Sequence, residues 1–408
     1  MTSHTNDTDA NLRGLHRAWW ILILASVLLT ALGVELLGRV WSPPDVLRWA
    51  VLTAAVVGVQ LVLVRRNLRQ NHRPGDNILL AGLGLANAIT LARGLAIAAF
   101  AGFLAAPLPL TGALAWAPAI LYTAAVLPDF LDGAVARATN RVTVLGGILD
   151  MEYDCLAMLA VSLLAVRLGK VPWWYVSVGL ARYLFVGGIW WRERHRLPVY
   201  DLTPSNTRRL AAGFQMAFFC VALWPILEPP ATAVAGTLFV TPILLGFVRD
   251  GLIASGTVSP LAPGYHGFQR WRDWTGLWLP PVLRWIGALA AVAFLLPALR
   301  QAPAAGSVAP LVAPLVAPLA AALASASAVS LALGIGARVG AIAMLLATWA
   351  GVALVGFQPY DAALMIATIP LLYLGAGRFA LWRGEDALFA HRLVAEPVAR
   401  LGEKSDPS

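Results

Sequence analysis

Residues 128–155 read PDFLDGAVARATNRVTVLGGILDMEYDC, from Pro128 to Cys155, at the junction of two apolar runs. Carboxylates stand here where a hydrophobic chain should carry none. Asp129 and Asp132 are three apart and share one face of a helix; Asp150 and Asp154 are four apart and do the same. Between the pairs lie Gly133, Ala136, Arg137 and Gly146. Two helix ends, each offering two carboxylates toward one cleft, predict a site for hard divalent cations. Such cations take oxygen ligands, and Mg²⁺ is usually held by a few carboxylates together with substrate phosphates. Four carboxylates in one place repel one another unless a metal or a cation neutralises them. Helix capping does not account for Asp150 and Asp154 inside an apolar run, because a charge in a membrane segment is expensive and marks function.

Composition sets the solvent. Of 408 residues, 59% are hydrophobic and only 12% charged, about half the charge of a soluble domain. The chain therefore reads as an all-α polytopic membrane protein. A net charge of +9 would suggest nucleic acid in a soluble protein. In a membrane protein, Lys and Arg gather in cytoplasmic loops and near anionic headgroups, and no nucleic-acid partner is expected. The two cysteines, Cys155 and Cys220, sit in apolar segments and give neither a metal-ligand spacing nor a disulfide framework.

Residues 1–17 are polar and are expected to form a disordered tail. The apolar run 18–38 is longer than the 7–15 residues or so of a signal-peptide core, so it predicts an uncleaved span, returned by a second at 46–64. Glu35 is expected near the outer interface. The loop 65–76 carries Arg65, Arg66, Arg69 and Arg73, which mark the cytoplasmic side. Asn87, Thr90 and Arg93 then recur on one helical face, ahead of the apolar run 94–106. Further spans are expected at 112–131, 144–166, 172–191, 210–226 and 233–248. The stretch 192–209 holds Arg192, Arg194, Arg196, Arg208 and Arg209, and Arg249 closes the last of these spans. Some of these arginines are positive-inside residues. As a pocket, Arg196, Arg208 and Arg249 would suit a phosphorylated acceptor, since Arg makes bidentate phosphate contacts.

Beyond residue 264, Tyr265, Phe268, Trp271, Trp274 and Trp278 interleave with Arg270, Arg272 and Asp273, the pattern of an interfacial aromatic belt. Four apolar segments follow, at 279–299, 310–331, 339–355 and 362–374, about twelve spans in all. VAPL occurs three times in tandem at 308–319, and its prolines are expected to kink or delay the helix start.

Written out, the opening stretch is D-x2-D-G-x2-A-R-x8-G-x3-D-x3-D, with all eight fixed positions filled over twenty-six residues. It resembles the signature of the CDP-alcohol phosphotransferases (CDP-alcohol phosphatidyltransferases), integral membrane enzymes that make phospholipids from a cytidine-diphosphate donor. Asn87, Thr90 and Arg93 are similar to an N-x-x-T-x-x-R at the start of that family's first core helix, where it helps shape the donor site. The resemblance covers about residues 77–254 and implies a six-helix core. It implies that Asp129, Asp132, Asp150 and Asp154 hold two divalent ions, Mg²⁺ or Mn²⁺, that bridge the donor's pyrophosphate. Asp154 matches the proposed general base. Gly133, Ala136 and Gly146 let the nucleotide approach, although close helix packing alone could demand glycine at 146, and Arg137 contacts phosphate. Family members pair as dimers, which implies a homodimer here. LGIGARVGAIAMLL at 333–346 and YLGAGRFALWRGEDALF at 373–389 resemble DoxX-type four-helix membrane proteins, without implying chemistry.

The expected organisation is a polar tail at 1–17 and two N-terminal helices with a basic loop at 18–76. The CDP-alcohol phosphotransferase core follows at 77–254, an interfacial linker at 255–278, a DoxX-like four-helix bundle at 279–392 and a polar tail at 393–408. With the N-terminus inside, the arginine clusters fall on one side and Arg39, Arg48, Arg167, Lys170 and Arg300 on the other, as the positive-inside rule expects. That places the aspartates at the cytoplasmic face of the inner membrane. The expected reaction is transfer of a phosphatidyl group from CDP-diacylglycerol to a polar alcohol, such as glycerol phosphate or inositol phosphate, with release of CMP. One alternative is transfer of a CDP-linked polar headgroup to a lipid or sugar-phosphate acceptor. Another is a non-catalytic, divalent-cation-binding transporter or scaffold, which discontinuous helices and midplane charges would favour.

Overall fold

The structure is a computed structural model and describes residues 2–76, 78–128, 142–202, 206–259, 262–302, 313–382 and 384–385. Regular structure among them is helical, apart from one isolated bridge between Ile335 and Trp382. The chain folds as two compact units that meet in sequence between Leu168 and Gly169.

The first unit holds α1 (Thr2–Gly38), α2 (Pro43–Asn67), α3 (Gly84–Gly102), α4 (Ala117–Val126) and α5 (Val144–Arg167). Helix α2 packs on α1 and α3, and α3 packs in turn on α4 and α5. Small residues let these helices approach, as is usual where lipid gives no hydrophobic drive for association. Trp49 of α2 is 3% exposed and donates its indole N–H to Ala99 O at 3.1 Å. Gly33 and Gly102 lie against that ring, and a Cβ at either would overlap it. Gly94 of α3 meets Tyr153 of α5 in the same way.

The expected disordered tail is corrected: α1 is helical from Thr2. Leu15 is wholly buried and Trp19 nearly so, one helical turn apart, and the Asn11 amide donates to Leu79 O at 2.9 Å. A packed face and a tertiary hydrogen bond stabilise turns that composition alone would leave unstructured. Glu35 is exposed and pairs with Arg39 at 3.0 Å, as an interfacial carboxylate should.

The second unit holds α6 (Val176–Arg194), α7 (Asn206–Ala222), α8 (Ala231–Ala254), α9 (Pro263–Ala290), α10 (Leu296–Gln301), α11 (Ala313–Leu333), α12 (Ala337–Val355) and α13 (Pro359–Leu374). Helix α8 packs on α6, α7 and α13, while α9, α11, α12 and α13 pack on one another as four helices. Helix α9 runs from the aromatic–basic segment straight into the next apolar stretch, so interfacial segment and span are one helix. It joins α10 through a π-turn at Ala291–Leu295. Pro297 has no N–H to offer the Ala293 carbonyl, and a π-turn absorbs that defect. The boundary between the units falls inside residues 77–254: α3, α4 and α5 belong to the first and α6, α7 and α8 to the second.

Seven helical stretches among the described residues are long and apolar enough to cross a membrane: Asp9–Gly38, Pro43–Gln70, Gly84–Ala105, Ala231–Ala254, Gly267–Gln301, Ala313–Leu333 and Ala337–Val355. Gly112–Val126, Leu210–Ala222 and Pro359–Leu374 are apolar but shorter. The other two expected spans coincide with α5 and α6, which are richer in charge: α5 carries Asp150, Glu152 and Asp154, and α6 carries Arg182, Arg192, Glu193 and Arg194. Every expected span thus has a helix, and the protein is an all-α polytopic membrane protein.

Candidate active site

Helix α5 begins at an N-cap. Thr143 has extended backbone, and its hydroxyl accepts from the Gly146 N–H at 3.0 Å. From Gly146 the chain reaches Asp150 and Asp154 in steps of four, so all three lie along one face of α5. That face meets α3. Asn87, Thr90 and Arg93 are 3%, 4% and 3% exposed, which places the predicted α3 face inside the unit.

Arg93 reaches both carboxylates. Its Nη1 donates to Asp150 Oδ1 and its Nη2 to Asp154 Oδ1, each at 2.7 Å, and its Nε donates to Ala125 O of α4 at 3.0 Å. A planar guanidinium has donors spread for two acceptors at once, and carboxylates one helical turn apart supply them. The side chain of Arg93 is 2% exposed, against 44% for Asp150 and 30% for Asp154. A buried cation therefore holds two partly exposed anions. The trio carries one net negative charge.

Asn87 serves the start of α5 rather than the aspartates. Its amide N–H groups donate to Asn71 Oδ1 at 3.2 Å and to Thr143 Oγ1 at 3.1 Å. Thr143 Oγ1 donates to Asn87 Oδ1 at 3.3 Å. A Cβ at Gly146 would sit 2.5 Å from Asn87 Oδ1, so helix packing demands the glycine. Thr90 donates to Ala86 O within its own helix at 3.2 Å.

Asp129, Asp132, Gly133, Ala136 and Arg137 lie outside the described residues. In the second unit, Asp250 is 4% exposed and shared by two arginines: Arg208 donates to Oδ2 at 2.7 Å and Arg249 to Oδ1 at 2.8 Å. Arg249 thus makes an ion pair with its neighbour. Arg196 is exposed in the left-handed region, φ 54°, just beyond the end of α6, a place usual for glycine. It makes no ion pair with Asp250 among the described residues.

Thr143 and Asn71 are participants that sequence reading passed over. Thr143 had a signal, being an N-cap residue type directly before an apolar run. Asn71 had none, because it sits in an arginine-rich loop whose charges drew the reading.

The donor set suits a hard divalent cation. Asp150 and Asp154 present carboxylate oxygens from one helix face, and Asp150 Oδ2 has no hydrogen-bond partner among the described residues. No third acidic, His or Cys side chain joins them among the described residues.

Residues 83–248 match the family model for CDP-alcohol phosphatidyltransferases. Proteins named "Putative cardiolipin synthase" from Mycobacterium bovis and Mycobacterium tuberculosis are each 34% identical over 115 residues, 27% of this chain and 54% of theirs. The chain thus spans about half the length of these relatives. No solved structure matches. Asn87, Arg93, Thr143, Gly146, Asp150 and Asp154 all fall in residues 83–248, the segment that is similar to the CDP-alcohol phosphatidyltransferase family.

Proposed function

We propose that this protein is a membrane-embedded phosphatidyltransferase of phospholipid biosynthesis. It moves the phosphatidyl group of CDP-diacylglycerol to a polar alcohol and releases CMP. The observation that carries the reading is the pair Asp150 and Asp154, partly exposed on one face of α5 and held by the buried fork of Arg93.

In the reaction, the acceptor oxygen forms a bond to the phosphatidyl phosphorus. The bond from that phosphorus to the bridging pyrophosphate oxygen breaks, and CMP leaves with that oxygen. Asp154 takes the proton of the acceptor hydroxyl. Asp150, with Asp129, Asp132 and Asp154, would hold divalent ions, Mg²⁺ or Mn²⁺. Such ions, when bound, neutralise charge on the donor's phosphates and on departing CMP. Arg93 holds the two carboxylates of α5 side by side through its two Nη donors. The resemblance to the family assigns Gly133 and Ala136 to the nucleotide's approach and Arg137 to its phosphate.

Within the second unit, Arg208 and Arg249 are each about a third exposed and outnumber Asp250, which suits an anionic acceptor. Glycerol phosphate and inositol phosphate carry the required phosphate. The relatives' name adds phosphatidylglycerol, since phosphatidyl transfer to its free hydroxyl would give cardiolipin. The arginine asymmetry supports the inner membrane with the aspartates at the cytoplasmic face, and the family's habit supports a homodimer.

The test is CMP release by purified protein with CDP-diacylglycerol, Mg²⁺ and a panel of these alcohols with serine, beside Asp154→Asn. Acceptor-dependent release, lost in the variant, would establish the reaction and name the acceptor. Nucleotide binding with no release from any alcohol would shift the reading to another CDP donor. No nucleotide binding at all would sink it.

A further inference from the structure

Asn71 lies outside the matched segment, yet it is buried in the bond network that sets the aspartate helix. It is 0% exposed. Its Nδ2 donates to Leu80 O at 3.3 Å and Gly82 O at 3.0 Å, and its Oδ1 accepts from Asn87. The polar atoms of its side chain, of the Asn87 amide and of the Thr143 hydroxyl all have partners, and Thr143 passes the chain of bonds to Gly146 N. A second link runs beside it, where the Val144 N–H donates to His72 O at 3.0 Å. Buried polar networks that are fully satisfied fix one geometry, because any alternative leaves a desolvated group unpaired.

The loop after α2 thus grips the first turn of α5. Gly146, Asp150 and Asp154 share one face, so the rotation fixed at Thr143 and Gly146 decides where both carboxylates point. Arg93 sits six residues after Asn87 on α3, and α3 therefore meets α5 at two levels: amide to N-cap, and guanidinium to carboxylates.

We propose that Asn71 is a positioning residue for the transferase site: through Asn87 and Thr143 it holds α5 at the rotation that turns Asp150 and Asp154 toward one ligand. Asn71 is then the residue by which the loop after α2 supports the site. This rests on the transferase reading above.

The test uses the full-length protein in nanodiscs, with Mn²⁺ as the probe. Mn²⁺ affinity is read from the resonance signal of free Mn²⁺, and CMP release gives kcat and KM. Asn71→Ala and Thr143→Val are each expected to weaken Mn²⁺ binding about 10–100-fold, the usual cost of losing a partner behind a ligand. The double variant should fall no further than the worse single one, because both cut one chain of bonds. Wild-type affinity in the single variants, or additive losses in the double, would overturn the proposal.

Should Asn71→Ala fail to fold, Asn71→Asp keeps the acceptor for Asn87 and loses the bonds to Leu80 and Gly82. Weaker Mn²⁺ binding at an unchanged Tm supports the role; wild-type binding overturns it. Arg69→Ala, exposed in the same loop, should change neither readout, and a matching loss there would overturn a specific role for Asn71. Wild-type protein that binds Mn²⁺ but neither binds nucleotide nor releases CMP would sink the transferase reading while the affinity comparison still decides for or against Asn71. Wild-type protein that binds no Mn²⁺ overturns both.

Discussion

At the scale of single residues, Arg93 and Asp154 carry the sharpest expectations. Asp154→Asn keeps a carbonyl oxygen for the Arg93 Nη2 donor but cannot take a proton, so the fold should persist. CMP release should drop roughly 10²–10⁴-fold, the usual weight of a positioned base, as read by initial rates. Arg93→Lys keeps the charge and loses the fork, because one ammonium cannot match the planar reach to Asp150, Asp154 and Ala125 O. Unfolding in detergent should show about 1–3 kcal/mol lost, the cost of hydrogen bonds to charged groups, with activity down at least tenfold. Saturating Mn²⁺ should return part of that stability by supplying positive charge to the two carboxylates.

The residue scale also shows how far the sequence could be read. The spacing of Asp150 and Asp154 was legible because helical geometry turns a step of four into a shared face. The spacing of Asn87, Thr90 and Arg93 placed them on one buried face for the same reason. That Arg93 would reach both aspartates was not legible. A pattern gives the face of each helix, whereas the pairing of two faces depends on how closely the helices approach. Here Gly94 against Tyr153 and Gly146 against Asn87 set that approach.

At the scale of elements, packing around glycine separates positions that composition treats alike. A Cβ at Gly102 of α3 would overlap Trp49 and Thr53 of α2, while a Cβ at Gly58 of α2 meets nothing within 4 Å. Gly102→Ala should therefore cost about 1–3 kcal/mol by overpacking. Gly58→Ala should be neutral or gain up to about 1 kcal/mol from helix propensity. Parallel thermal melts of the two variants check this, and equal melts would contradict the packing described for α2 and α3. Helix α1 makes the complementary point. Its first turns look like a polar tail, and only the contacts of Asn11 and Leu15 show why they are helical.

At the scale of the whole molecule, the ladder of spans followed from hydropathy, since each apolar stretch needs a helix to satisfy its backbone in lipid. The division into two units did not, because the short loop around Gly169, Lys170 and Pro172 reads like the other turns between spans. Sidedness is the testable property at this scale. In a cysteine-free background, Arg69→Cys and Arg272→Cys should react with a membrane-impermeant maleimide from the cytoplasmic side. Arg39→Cys and Arg300→Cys should react only from the other. Labelling of all four from one side would refute the orientation that the arginine asymmetry supports.

The placement of that division has a consequence in time. A ribosome makes the residues up to Leu168 before those of the second unit, adding about 5–20 residues per second. Arg93, Asp150 and Asp154, and the bonds among Asn71, Asn87 and Thr143, lie wholly before Leu168. The carboxylates of α5 thus enter the bilayer with their counter-ion already synthesised, and need not await a partner from the second unit.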